Sequence, residues 1–265
     1  MFIYLPVSSN SMKSYKTLVK YVIKKADVLM EVLDARFPDE TRNGDIEREI
    51  INLNKPFIII INKCDLVSRE KLEKTKAYLS KTALTVFVSS KNKSGTTILR
   101  HQILKSACIK GRDILVGTLG YPNVGKSSII NSVTGRHRTS ISPISGHTKG
   151  VQKVYAGSRI MFMDTPGVVP FDETDEYIQG LLGIKDATKL QDHVGVSLKI
   201  IEKIFAENKI ALESFYHITI ENKSSYNVLE LIGKQCNFLQ KKGEIDEIRT
   251  AIKVISDWQN GLLFI

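Results

Sequence analysis

The chain has 265 residues, 42% of them hydrophobic, enough to bury the core of one large domain plus a smaller one. Its net charge of +10 is unevenly spread: Met1–Asp175 carries 27 Lys and Arg against 16 Asp and Glu, and Glu176–Ile265 carries 11 against 12. Three scattered cysteines (Cys64, Cys108, Cys236) argue against a disulfide framework or a metal cluster and for buried free thiols.

No apolar run approaches the ~20 residues that a membrane-spanning helix requires. The opening MFIYLPVSSNSMKSYK lacks the charged-then-apolar order of a secretory leader, so a cytoplasmic protein with no membrane partner is expected. The basic excess, densest between Arg69 and Lys110, suits a polyanion such as nucleic acid; a solubilising surface is the alternative.

In chain order, Met12 to Ala26 shows helical apolar spacing with lysines on the other face. VLMEVL (Val28–Leu33) reads as a strand and RNGDIEREIINLN as a helix. FIIII (Phe57–Ile61) is a buried strand, and Ser68 caps a charged helix to Lys81. LTVFV (Leu84–Val88) is a strand, Thr96–Cys108 a helix and ILVGTL (Ile114–Leu119) a strand. A helix starts at Lys126, and VQKVY and IMFM form a strand pair around Ala156-Gly157. This alternation predicts an α/β domain over 1–174 with a mostly parallel sheet covered on both faces. FDETDEY reads as a linker into a small all-α domain, 175–265, with helices over Val194–Ala206, Asn227–Leu239 and Ile245–Leu262. In the last, Ile245, Ile248, Ile252, Ile255 and Leu262 are expected on one buried face, and Trp258, Tyr216 and Phe238 are expected in the core.

GYPNVGKS matches the phosphate-loop template GxxxxGK[ST] at Gly120, Gly125, Lys126 and Ser127, between a strand and a helix. Glycines let backbone N–H groups curl around phosphate oxygens, and the helix N-terminus adds positive potential. Binding candidates here are Asn123, Val124, Gly125, Lys126, Ser127 and Ser128, with Lys126 reaching the β- and γ-phosphates and Ser127 ligating Mg²⁺. Downstream, MFMDTPG offers Asp164 to the Mg²⁺ shell and a Gly167 backbone N–H to the γ-phosphate. Between them, Thr148 in SPISGHTKG is the expected second hydroxyl on Mg²⁺, with Thr139 competing. Lys126, Thr148 and Gly167 are the catalytic candidates, and Ser127, Thr148 and Asp164 the metal candidates.

IIIINKCD ends a buried strand in Asn62, Lys63 and Asp65. A carboxylate at Asp65 can accept from guanine N1–H and the 2-amino group, a donor pair that adenine lacks. The Lys63 stem can pack on the base, and Asn62 can tie this loop to the phosphate loop. VFVSSKN ends another strand in Ser89, Ser90 and Lys91, offering the Ser90 N–H to guanine O6 and Lys91 beside the base.

In their order (NKxD, SxK, phosphate loop, switch threonine, DxxG) these motifs resemble the circularly permuted GTPases of the YlqF/YawG family. Asp34, Ala35 and Arg36 of VLDARFPDETRN resemble that family's DAR element, expected here as a structural ion pair or cap, and VISDWQNGLL resembles its C-terminal helix. The resemblance implies a GTPase that binds GTP, GDP and Mg²⁺ and assembles ribosomes, specifically the large subunit; a GTP-gated RNA- or protein-binding module with negligible turnover, or a GTPase in tRNA modification or signalling, is the alternative. Its partners would be a ribosomal subunit or its precursor and rRNA, and the protein itself a monomer.

Val168 stands where Ras-like enzymes carry a water-orienting glutamine, which implies slow turnover stimulated by a partner. His147 could substitute from the switch loop; an exposed loop histidine is the alternative. Asn123 matches the asparagine that coordinates K⁺ in related GTPases, with a turn-stabilising asparagine as the alternative. The permuted order places DxxG at the end of the nucleotide domain, where a shift at Gly167 would pull on the helical segment.

Overall fold

The computed structural model describes residues 11–135, 152–156, 159–165, 175–221, 224–241 and 243–265, which fall into two compact units, 11–165 and 175–265. Thr139, His147, Thr148, Gly167 and Val168 lie outside the described residues.

The first unit is a six-stranded sheet with helices: α1 (Ser11–Lys25), β1 (Val28–Asp34), α2 (Pro38–Thr41), α3 (Gly44–Asn52), β2 (Phe57–Asn62), α4 (Arg69–Leu79), β3 (Leu84–Phe87), α5 (Thr96–Ala107), β4 (Ile114–Leu119), α6 (Lys126–Thr134), β5 (Gln152–Ala156) and β6 (Ile160–Asp164). The strand order is β3-β2-β1-β4-β6-β5, parallel throughout except for the β5–β6 pair. The described chain starts at the centre with β1, moves out to β3, returns to β4 beside β1 and moves out the other way. Every β1 residue is buried, which requires cover on both faces and explains its near-continuous apolar sequence.

One core layer joins Val19, Val22, Ile23 and Ala26 of the α1 segment to Ile46 and Ile50 of α3 and to Leu29, Leu119 and Met163 of the sheet. Full burial of each of the Val, Ile, Leu and Met side chains contributes about 1.5–3 kcal/mol. Gly117 allows this approach: a Cβ there would lie 2.7 Å from Val22 Cγ1 and 2.9 Å from Leu29 Cδ2.

The second unit is helical: α7 (Glu176–Leu181), α8 (His193–Tyr216), α9 (Ser225–Gln235) and α10 (Glu247–Gln259). Trp258 is fully buried and donates Nε1–H to Leu181 O at 2.9 Å. The Tyr216 hydroxyl meets Asp257 Oδ2 at 2.9 Å, and Lys253 Nζ reaches both Asp257 oxygens, at 2.6 and 2.5 Å. Burial and the Asp257 charge push the Tyr216 phenol well above its ordinary range.

Several expectations are corrected. Ile248 (58% exposed) and Leu262 (48%) face solvent, and the buried face of α10 is Ala251, Val254, Ile255 and Trp258. Phe238 is half-buried, with the Arg249 guanidinium 4.2 Å from its ring centroid. The FDETDEY stretch is not all linker, because Asp175 caps α7 by accepting from Tyr177 N–H at 2.8 Å. Of the thiols, Cys108 is exposed, and Cys64 and Cys236 are half-buried; all three are free.

Candidate nucleotide-binding site

β1, β2, β3, β4 and β6 all run parallel, so their carboxyl ends share one edge of the sheet. Between β1 and β4 the strand order reverses direction, and in open α/β sheets ligands bind outside the carboxyl ends at such a switch point. The edge carries Asp34 from β1, Asn62 from β2 with Lys63–Asp65 after it, Ser89–Lys91 after β3, Gly120–Ser128 after β4 and Asp164 from β6. Motifs scattered over 130 residues of sequence therefore meet along one rim.

The phosphate loop turns from β4 into α6 through residues at positive φ. Gly120 (φ 136) lies so close to β1 that a Cβ would meet Val32 O at 2.5 Å. Asn123 (φ 57) occupies the left-handed region that asparagine tolerates, which accounts for that residue type without a cation. Gly125 (φ 97) faces Asn62, whose Nδ2 would lie 2.2 Å from an added Cβ. Val124 is buried, and Ser128 half-buried at the start of α6.

Lys126 is buried and folds back on its own loop, donating to Gly120 O at 3.0 Å and Tyr121 O at 2.5 Å. Burial pulls its pKa down to about 8, although the Asp164 charge acts the other way. Ser127 donates its hydroxyl to Asp164 Oδ2 at 2.6 Å. The other oxygen, Asp164 Oδ1, is buried with no hydrogen-bond partner among the described residues. Burial pushes this carboxyl above its ordinary range, against the Ser127 hydrogen bond and the Lys126 charge. A half-satisfied buried carboxylate beside a serine hydroxyl is a hard-oxygen donor set that fits Mg²⁺.

Asn62 is fully buried and joins three loops. Its Nδ2 donates to Val124 O in the phosphate loop at 2.8 Å, and its Oδ1 accepts from Ser90 N–H at 3.2 Å. The Ser90 N–H expected to face guanine O6 is donated to Asn62 in this structure. Ser89 is buried and accepts from Asn92 N–H at 3.1 Å, closing the turn that leaves Lys91 exposed. Asp65 Oδ1 is buried with no hydrogen-bond partner among the described residues.

Lys63 sits left-handed (φ 59, ψ 32), and its ammonium lies 2.6 Å from Asp34 Oδ2. Arg36 grips the same carboxylate, Nε to Oδ1 at 3.0 Å and Nη2 to Oδ2 at 2.9 Å. Burial would raise the Asp34 pKa, but the Arg36 and Lys63 charges hold it far below the ordinary carboxylate range. The ion pair expected of Asp34 and Arg36 is present, and the lysine is an addition. It follows from the register of adjacent parallel strands, which end level at Asp34 and Asn62, and no sequence motif signals it.

Fold and site together define a P-loop GTPase-type domain with its motifs in rotated order. A family model described as RsgA GTPase matches residues 9–174, and one described as 50S ribosome-binding GTPase matches 115–242. The chain belongs to the RsgA GTPase family, whose model matches more than half of it, and it carries the GTPase motifs in circularly permuted order.

It is 39% identical over 250 residues to the uncharacterized GTP-binding protein MJ1464 of Methanocaldococcus jannaschii, covering 94% of this chain and 65% of that protein. It is 32% identical to nuclear/nucleolar GTPase 2 of Arabidopsis thaliana, over 91% of this chain and 42% of that protein. The chain thus spans less than two thirds of these relatives. GNP-bound YlqF from T. maritima shares the fold, with a TM-score of 0.61 at 19% identity over 94% of both chains.

Proposed function

We propose that the protein binds GTP and GDP with Mg²⁺, hydrolyses GTP slowly, and acts in assembly of a ribosomal subunit, the large one. The observation that carries the nucleotide reading is the buried Asn62 bridge. One side chain bonds the phosphate loop and the loop after β3 while opening the NKCD turn, which supports reading these loops as parts of one site.

In this reading backbone N–H groups of 123–127 cradle the phosphates, and the Lys126 ammonium leaves the Gly120 and Tyr121 carbonyls for the β- and γ-oxygens. Ser127 and Asp164 hold the Mg²⁺ shell, and Thr148 and Gly167 complete the γ-phosphate side. Mg²⁺ held there would neutralise the negative charge of the phosphates. Asp65 accepts from guanine, filling the need of its buried oxygen. Val168, in place of a glutamine, makes slow turnover with a stimulating partner the reading for hydrolysis.

Ribosome assembly rests on kinship: one matching family is described as 50S ribosome-binding, and relatives are named nucleolar GTPases. The basic excess of residues 1–175 supports an RNA-rich partner. Capture by tagged protein loaded with GDP or a non-hydrolysable GTP analogue, followed by sequencing of bound RNA, tests it. Enrichment of large-subunit rRNA with the analogue alone is expected; equal recovery of unrelated RNA in both states would contradict it.

A further inference from the structure

Four side chains of alternating charge, Arg36, Asp34, Lys63 and Asp65, connect the end of β1 to the base-reading turn. Asp34 and Arg36 are each 1% exposed at the side chain, and Asp34 Oδ1 also accepts from Arg36 backbone N–H at 3.1 Å. Arg36 in turn lies 5.0 Å from the Phe37 ring centroid. The two strand ends are clamped level by Ala35 N–H donating to Asn62 O at 2.8 Å. Asp34 is thereby fixed by its own strand, by Arg36 and by β2.

Two carboxylates compete for the single Lys63 ammonium. Asp65 is two residues along a tight turn closed by Leu66 N–H on Lys63 O at 2.9 Å, and its charge acts on the ammonium. Yet among the described residues Lys63 is ion-paired to Asp34, no ion pair joins it to Asp65, and the buried Asp65 Oδ1 has no hydrogen-bond partner. An Asp65 paired to Lys63 would have to give up that partner before reading a base.

We infer that Asp34 is a specificity-determining residue: by holding the Lys63 ammonium it keeps the Asp65 carboxylate open for the guanine N1–H and 2-amino group. Arg36 is the positioning residue that holds Asp34. This rests on the guanine reading of Asp65 proposed above.

The test compares dissociation constants for GDP and IDP, which differ by the 2-amino group. Hydrogen bonds to a charged acceptor imply that the wild type prefers GDP by about tenfold or more. Asp34→Asn keeps the shape, removes the charge and frees Lys63 for Asp65, so the GDP/IDP preference should fall towards unity. Adding Lys63→Met removes the competing ammonium and should recover the preference. A purely structural Asp34 would instead lower both affinities together at a constant ratio, with no recovery in the double variant, and that result overturns the inference.

Should Asp34→Asn fail to fold, the pair Asp34→Asn/Arg36→Met removes both buried charges and is read by the same ratio, with the same two outcomes. Failure of the guanine reading is separately visible: a wild type that binds GDP and IDP equally removes both proposals. A wild type that discriminates alongside an Asp34→Asn variant that still does so removes only this one.

Discussion

At the scale of single residues, the site is a set of buried polar groups left incomplete. Lys126 is the clearest in its consequence for pH. Its ammonium is held near 8 by burial, and a phosphate ligand would restore an ordinary high pKa. Below pH 8 the lysine is already charged and affinity should be flat. Above it, binding must take up a proton, so GDP affinity should fall by up to about tenfold per pH unit. Calorimetry at pH 9 in buffers of different ionisation enthalpy should show uptake approaching one proton; none at pH 9 would contradict the linkage. Gly125→Ala should also abolish tight GDP binding, because its Cβ collides with Asn62 Nδ2 and the φ of 97° disfavours any side chain. Retained wild-type affinity in that variant would mean the Gly125–Asn62 approach is not part of the site. The glycine and lysine were legible from the motif alone. The competition of two carboxylates for Lys63 was not, since it depends on a register between strands that sequence does not print.

Among the elements, strands and strand-end loops were read closely because burial on both faces leaves continuous apolar runs such as FIIII. The helical unit was read less well. α8 runs to Tyr216, and its second half follows a break at Asn208 (φ −154, ψ 80), where the amphipathic pattern ended in the polar AENK stretch. Asn208 is itself a cap, its Oδ1 accepting from Ala211 N–H at 3.2 Å. Asn208→Ala should therefore destabilise the fold by about 0.5–2 kcal/mol despite a better helix former, whereas a continuous helix would be stabilised by it. Urea unfolding at constant m-value distinguishes the two signs. On α10 the seam was misplaced by a strict apolar count: Thr250 and Asp257 are buried through their hydrogen bonds, while Ile248 is exposed. Trp258→Ala should cost about 3–5 kcal/mol, from the cavity it leaves and the unpaired Leu181 carbonyl, and be measurable in the same unfolding experiment.

For the molecule as a whole, chain order and spatial order are separate matters. Loops that a sequence presents as NKCD, then SSK, then GKS, then Asp164 lie along one edge because parallel strands all deliver their ends there. A circular permutation moves the termini and leaves the sheet edge intact. The charge excess has the same molecular scale: it lies in residues 1–175, and an RNA partner would release counterions, so binding should weaken steeply between 50 and 200 mM salt. Salt-independent retention of RNA would argue against phosphate contacts. The central claim is that these strand ends form one guanine-nucleotide site, and the measurement that tests it most directly is base preference by calorimetry. Wild type should bind GDP with Mg²⁺ and not ADP, and Asp65→Asn should bind XDP, whose C2 oxygen accepts from the asparagine amide, in preference to GDP. Equal affinity of the wild type for GDP and ADP, together with an unchanged preference in Asp65→Asn, would contradict it.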